Sequence, residues 1–142
     1  MSDSILVVED NDDLLLLLKL VLESVGYSVT TANSGKDALK CLESIEPQLI
    51  LMDIMMPKVS GIELSRDIKQ MPNHASLPIM LVSAIDRLKE KQLTESRADA
   101  IIYKPFDIDD LVLRVRDLLS TSQNNELMMA SYENSERYFK SS

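Results

Sequence analysis

Acidic residues close two apolar runs of this chain. Ile5-Leu6-Val7-Val8 leads into Glu9-Asp10, and Gln48-Leu49-Ile50-Leu51-Met52 leads into Asp53, followed by Ile54-Met55-Met56-Pro57. Two more runs end in polar chemistry. Leu77-Pro78-Ile79-Met80-Leu81-Val82 meets Ser83-Ala84, and Ala100-Ile101-Ile102-Tyr103 meets Lys104-Pro105-Phe106. Short apolar runs bounded by prolines and turn residues read as strands buried on both faces, the habit of a parallel sheet. Open α/β sheets bind ligands just outside the carboxyl ends of their strands. If these strands are parallel neighbours, three acids, a hydroxyl and an ammonium share one edge. A carboxylate placed there must be paired, hold a metal or react.

The residue types narrow the chemistry. Glu9, Asp10 and Asp53 form a hard-oxygen cluster that cannot stay fully ionised without a cation. Mg²⁺ suits it, since that ion takes oxygen ligands and keeps waters for a phosphoryl group. The lack of nearby His or Cys argues against zinc or copper. The single histidine, His74, falls in the Pro72–Ser76 loop and reads as a solvated side chain. A carboxylate beside Mg²⁺ can attack a phosphoryl group. Asp53 would be that acceptor, Lys104 would offset charge on the transferring oxygens, and Ser83 would hydrogen-bond one of them. Taken singly, Glu9, Asp10 and Lys104 read better as loop residues that cap helices and pair on the surface. All five at successive strand ends favour one site.

The elements that must position these residues alternate along the chain. Strands are expected at Ile5–Val8, Tyr27–Thr31, Gln48–Met52, Pro78–Val82 and Ala100–Tyr103. Helices are expected at about 12–25, up to about Ile45 from a cap at Asn33 or Ser34, at 62–70, at 86–95 and at 108–119. Asn11 and Asp107 are candidate N-caps, and Gly26 closes the first helix. Five strands alternating with five helices predict an α/β fold, a parallel sheet with helices on both faces. After Ser120 the composition turns to Ser, Asn, Gln and Glu, broken by Leu127-Met128-Met129 and Tyr138-Phe139, and reads as a tail outside the core.

Size and charge bound the rest. The 142 residues suit one domain, and a hydrophobic content of 45% is ordinary for a globular chain. A net charge of −8 disfavours direct contact with nucleic acid or an anionic membrane, which want a basic face. Cys41, the only cysteine, reads as a buried or half-buried thiol in a reducing compartment. The start of the chain lacks a signal-peptide pattern, and Leu14–Leu18, the longest apolar run, is far too short to span a bilayer. A cytoplasmic location is expected.

Four motifs in order, Val7-Val8-Glu9-Asp10, Asp53-Ile54-Met55-Met56-Pro57 with Gly61, Ser83-Ala84 and Lys104-Pro105-Phe106, resemble the receiver domain of two-component response regulators. The likeness spans about residues 4 to 121. It implies a flavodoxin-like, doubly wound five-stranded sheet of order 2-1-3-4-5 in residues 1–122, with 123–142 as a mobile or short helical tail. It implies phosphoryl transfer to Asp53 from a histidine kinase or histidine phosphotransfer protein. Mg²⁺ would be held by Glu9, Asp10, Asp53 and the backbone carbonyl of Met55. It further implies a cis Lys104-Pro105 bond, output through an unidentified protein partner, a monomer or weak dimer, and no turnover of external substrates.

Three positions depart from the family pattern. Ile101 stands where an aromatic switch residue is usual, and the aromatic is Tyr103, so the candidate switch comprises Ser83, Tyr103 and Ile101. Arg97 replaces a common glycine before the last strand, and Glu9 replaces the more frequent aspartate. Residues two beyond Asp53 and Ser83 would border the path of a hydrolytic water. They are Met55 and Ile85, neither of which orients water, so a long-lived phosphoryl group is expected. On the first helix, Leu14, Leu17, Leu18, Val21 and Val25 follow core spacing, leaving Leu16 and Leu20 outward. Those two are expected to dock the donor, or to be covered by the tail through Leu127, Met128 and Met129. Rival readings are a fragment of a larger regulator or hybrid kinase, a degenerate scaffold, and a Mg²⁺-dependent phosphatase with an aspartyl nucleophile. The last wants a second acid two residues after the nucleophile, where this chain has Met55.

Overall fold

Strands and helices alternate without exception in the computed structural model, which describes residues 3–84 and 88–135, with side chains through Thr121. In order they are β1 (Ser4–Val8), α1 (Asp12–Ser24), β2 (Ser28–Ala32), α2 (Gly35–Leu42), β3 (Leu49–Asp53), α3 (Gly61–Lys69), β4 (Ile79–Ser83), α4 (Glu90–Ser96), β5 (Ala100–Tyr103) and α5 (Ile108–Ser135). All strand pairs are parallel and the sheet order is β2-β1-β3-β4-β5, the doubly wound order expected from the sequence. Strand alternation sorts the core into two layers. Leu6, Val8, Ile50, Met52, Ile79 and Leu81 pack against α2 and α3, through Ala38, Leu64 and Ile68. Ile5, Val7, Leu49, Leu51, Met80 and Val82 pack against α1 and α5, through Leu18, Leu22, Leu111 and Val115.

The helices start where side chains can satisfy their free N–H groups. Asn11 Oδ1 accepts from the Leu14 N–H at 3.0 Å, Ser34 Oγ from Asp37 at 3.0 Å, and Asp107 Oδ1 from Asp109 at 2.7 Å. α1 is rotated relative to the expected phase. Its buried stripe is Leu14, Leu15, Leu18 and Leu22, whereas Leu17 and Val25 are each 45% exposed. Five consecutive leucines leave the phase open, and the i, i+4, i+8 line through Leu14, Leu18 and Leu22 wins. Val25 leaves the stripe because the helix ends at Ser24, with Val25 as the C-cap before Gly26 at φ +104°.

α5 also differs from expectation. It continues to Ser135 rather than stopping near Leu119, because no Gly or Pro follows Pro105 to break it. Leu119 sits beside Asp3, Pro47 and Pro78, at the amino ends of the strands. The remaining turns therefore carry the backbone about 24 Å beyond the sheet. Leu127, Met128 and Met129 lie along that extension. Tyr138 and Phe139 lie outside the described residues. Among the described residues, no helix is long and apolar enough to cross a membrane.

The corner between α4 and β5 carries backbone strain. Arg97 is the C-cap of α4 at φ 57°, ψ 20°, a left-handed conformation that disfavours residues with a Cβ. Around it the chain is tied to α3. Lys69 Nζ lies 2.7 Å from Asp99 Oδ2, which also accepts the Ile79 N–H at 2.9 Å, and Ser65 Oγ donates to the Ser96 carbonyl at 2.7 Å. These anchors hold the left-handed turn in place. Arg97→Gly should raise stability by about 0.5–1 kcal/mol, read as a shifted denaturant midpoint with an unchanged slope. A variant less stable than the parent would show that the arginine side chain contributes more than its backbone loses.

Candidate functional site

The carboxyl ends of β1 and β3 deliver the acids. Glu9 follows Val8 and is 2% exposed; Asp53 is the last residue of β3 and is 4% exposed; Asp10, one residue on, faces solvent. One carboxylate oxygen from each lies within 4.8 Å of the other two. From the end of β5, Lys104 Nζ reaches to 3.2 Å from Glu9 Oε1 and 3.6 Å from Asp53 Oδ2. The peptide bond after it, Lys104-Pro105, is cis as expected. The Lys104 N–H donates to the Ser83 carbonyl at 2.7 Å, fixing the two strand ends together.

Backbone groups hold both buried acids. The Asn11 N–H donates to Glu9 Oε2 at 3.1 Å, and the Met55 N–H donates to Asp53 Oδ1 at 3.3 Å. Gly61 closes the turn after Asp53. Its N–H donates to the Ile54 carbonyl at 2.8 Å, and a Cβ there would collide with the Asp53 carbonyl oxygen and Ile54 Cα. Only glycine allows α3 to begin so near the end of β3.

The electrostatics show a shortage of positive charge. Glu9 is pushed up to about 7, by burial first, against the opposing Asn11 N–H, and then by the neighbouring Asp53 and Asp10. Three carboxylates with one partly exposed ammonium leave room for a divalent cation. The donor set, all oxygen and two-thirds buried, fits Mg²⁺ and not a metal that prefers nitrogen or sulfur.

The other expected residues fall into place unevenly. Ser83 ends β4 and is fully buried, pairing in register with Tyr103. Alternation points it to the α2/α3 side, while Asp53 follows Leu49 and Leu51 on the α1/α5 side. Ile101 packs into the α2/α3 core and Tyr103 is 37% exposed at the rim beside Ser83. Leu16 and Leu20 are more than half exposed on α1, with Leu17 extending the same patch. Ile85 lies outside the described residues. The sequence reading missed the part played by Asn11, seen there only as a cap. The turn that caps α1 also aims the Asn11 N–H at Glu9, and the adjacency Glu9-Asp10-Asn11 was the available clue.

A flavodoxin-like α/β domain with an acid–lysine site at the carboxyl edge is thus the class that fold and site define. The family model for the response regulator receiver domain matches residues 5–116. The chain belongs to that family, as a receiver domain of two-component signalling. It is 38% identical over 124 residues to the alkaline phosphatase synthesis transcriptional regulatory protein PhoP of Bacillus subtilis, covering 87% of this chain and 51% of that protein. Among solved structures it resembles a CheY-like receiver domain protein from Methanospirillum hungatei, with TM-score 0.82, 26% identity, and coverage of 88% and 99%. It also resembles the response regulator TrrA of Thermotoga maritima, solved in complex with Mg(2+)-BeF, with TM-score 0.73, 32% identity, and coverage of 82% and 98%. The chain spans about half the length of the curated relatives it matches.

Proposed function

We propose that Asp53 accepts a phosphoryl group from the phosphohistidine of a histidine kinase or histidine phosphotransfer protein, and that the phosphorylated domain signals through protein contacts. The observation that carries this reading is the convergence of Glu9, Asp10 and Asp53 within 4.8 Å, bridged by Lys104. The relative solved with Mg(2+)-BeF supports a metal here; the three acids and the Met55 carbonyl would hold it. When bound, Mg²⁺ would neutralise the acids and the phosphoryl oxygens. The residues supply the rest. The Met55 N–H and Lys104 fix the two Asp53 oxygens, so the carboxylate meets phosphorus in one orientation as the bond to the donor nitrogen breaks. Lys104 then follows the charge as it moves to the phosphoryl oxygens, and the Ser83 hydroxyl hydrogen-bonds one of them.

Incubation with acetyl phosphate and Mg²⁺ should add one phosphoryl mass to the intact protein, and Asp53→Asn should remove it. An adduct that persists in the variant would place the acceptor elsewhere. The exposed Leu16, Leu17 and Leu20 on α1, the helix that starts two residues after Asp10, are proposed as the donor's docking surface. Leu16→Lys with Leu20→Lys should slow transfer from a phosphorylated donor at least about tenfold, while acetyl phosphate labelling persists. Equal loss in both assays would refute docking at this patch. A receiver within a longer regulator is a second reading, favoured by the half-length coverage of the relatives.

A further inference from the structure

Beside the acid cluster lies a cavity of about 630 Å³, bordered by Asp10, Met55, Met56, Leu88 and Gln92. Met55 is 56% exposed at its edge, whereas Met52 and Met80 are fully buried. Its own N–H holds Asp53 Oδ1, so the thioether is tethered two residues from the acceptor and opens to solvent. An exposed thioether is open to oxidants, and its sulfoxide is a polar group with a strong hydrogen-bond acceptor.

We propose that Met55 is an oxidation site through which a peroxide shortens the life of the phosphorylated domain. The proposal rests on Asp53 as phosphoacceptor. The sulfur lone pair attacks one oxygen of hydrogen peroxide and the O–O bond breaks. That oxygen stays on sulfur, and the other leaves as water with both peroxide protons. Sulfur is oxidised and the peroxide reduced, with no protein redox partner. The sulfoxide oxygen, beside Asp10 at the mouth of the site, then accepts a hydrogen bond from a water. That water's oxygen bonds to phosphorus, the Asp53 oxygen leaves with the electron pair as carboxylate, and inorganic phosphate departs carrying both of the water's protons. The unoxidised thioether offers no such acceptor, so the reduced protein holds its phosphate longer. Methionine sulfoxide reductases would restore it.

The test uses the whole chain, treated with hydrogen peroxide and mapped by peptide mass spectrometry. One added oxygen should appear at Met55, while Met52 and Met80 stay unmodified. After labelling with acetyl phosphate and removal of the donor, the adduct on oxidised protein should decay at least about tenfold faster than on untreated protein, a modest share of what oriented water contributes in general-base catalysis. Reductase treatment should reverse the change. Met55→Leu, compared with itself before and after peroxide, should lose the response whatever its starting lifetime. Unchanged decay with Met55 oxidised, no oxygen at Met55, or a peroxide response that survives in Met55→Leu would each overturn the inference. Absence of any adduct on untreated protein would instead overturn the phosphoacceptor reading, and this one with it.

Discussion

Lys104→Met should slow phosphorylation of Asp53 by on the order of 10²–10³-fold, the scale on which removing one preorganised charge partner at a reacting oxygen acts. The side chain stem survives in methionine, so packing changes little. What disappears is the cation 3.2 Å from Glu9 and 3.6 Å from Asp53. Two buried acids then face each other without it, and charge arriving on the phosphoryl oxygens meets no ammonium. Lys104→Arg should recover only part of the loss, because a planar fork does not place its charge where a compact ammonium does. The rate of adduct formation by intact mass, with circular dichroism to verify folding, measures both. A Lys104→Met rate within about threefold of the parent would remove the lysine from the reaction.

The second large effect concerns pH. Glu9 is raised to about 7 from an ordinary value of 4.5. The folded protein therefore holds this proton more tightly than the unfolded chain does. Stability of the metal-free protein should be greatest below about 4.5 as far as Glu9 is concerned, and should fall as pH rises through the window to about 7, flattening above it. The change should be on the order of 3 kcal/mol, since each pKa unit is worth about 1.4 kcal/mol and the value of about 7 already includes the Asn11 hydrogen bond to the ionised form. Glu9→Gln should abolish the slope and leave the metal-free protein more stable than the parent at pH 8. The same variant should blunt the stabilisation by added Mg²⁺, because a charged ligand is lost. Urea midpoints in chelator across pH 5–8 are the measurement. A midpoint that rises over that range in the parent, or a slope unchanged in Glu9→Gln, would contradict the assignment to Glu9.

Much of this site was legible because it rests on strand periodicity. Apolar runs ending at Val8, Met52, Val82 and Tyr103, alternating with helical segments, read as parallel strands, and parallel strands bring their ends together. Glu9, Asp53 and Lys104 therefore converge as expected. Where the pattern was degenerate, the reading slipped. The leucine run of α1 fixes no helical phase, so Leu17 and Val25 were misplaced. The polar composition after Ser120 suggested a tail, but a helix without Gly or Pro simply continues. Arg97 was recognised as replacing a glycine, yet its left-handed backbone is a tertiary fact, imposed by the Lys69–Asp99 and Ser65–Ser96 ties. The side to which Ser83 points follows from counting along β4, but its consequence needs the register with β5.

That placement makes the edge a clasp. Asp53 leans toward the layer of α1 and α5, and Ser83 toward the layer of α2 and α3. A tetrahedral group bonded to one and gripped by the other, as proposed for the phosphoryl group, would straddle the sheet like a buckle. Its arrival would draw the two halves of the sandwich together at one rim, and its departure would let them part.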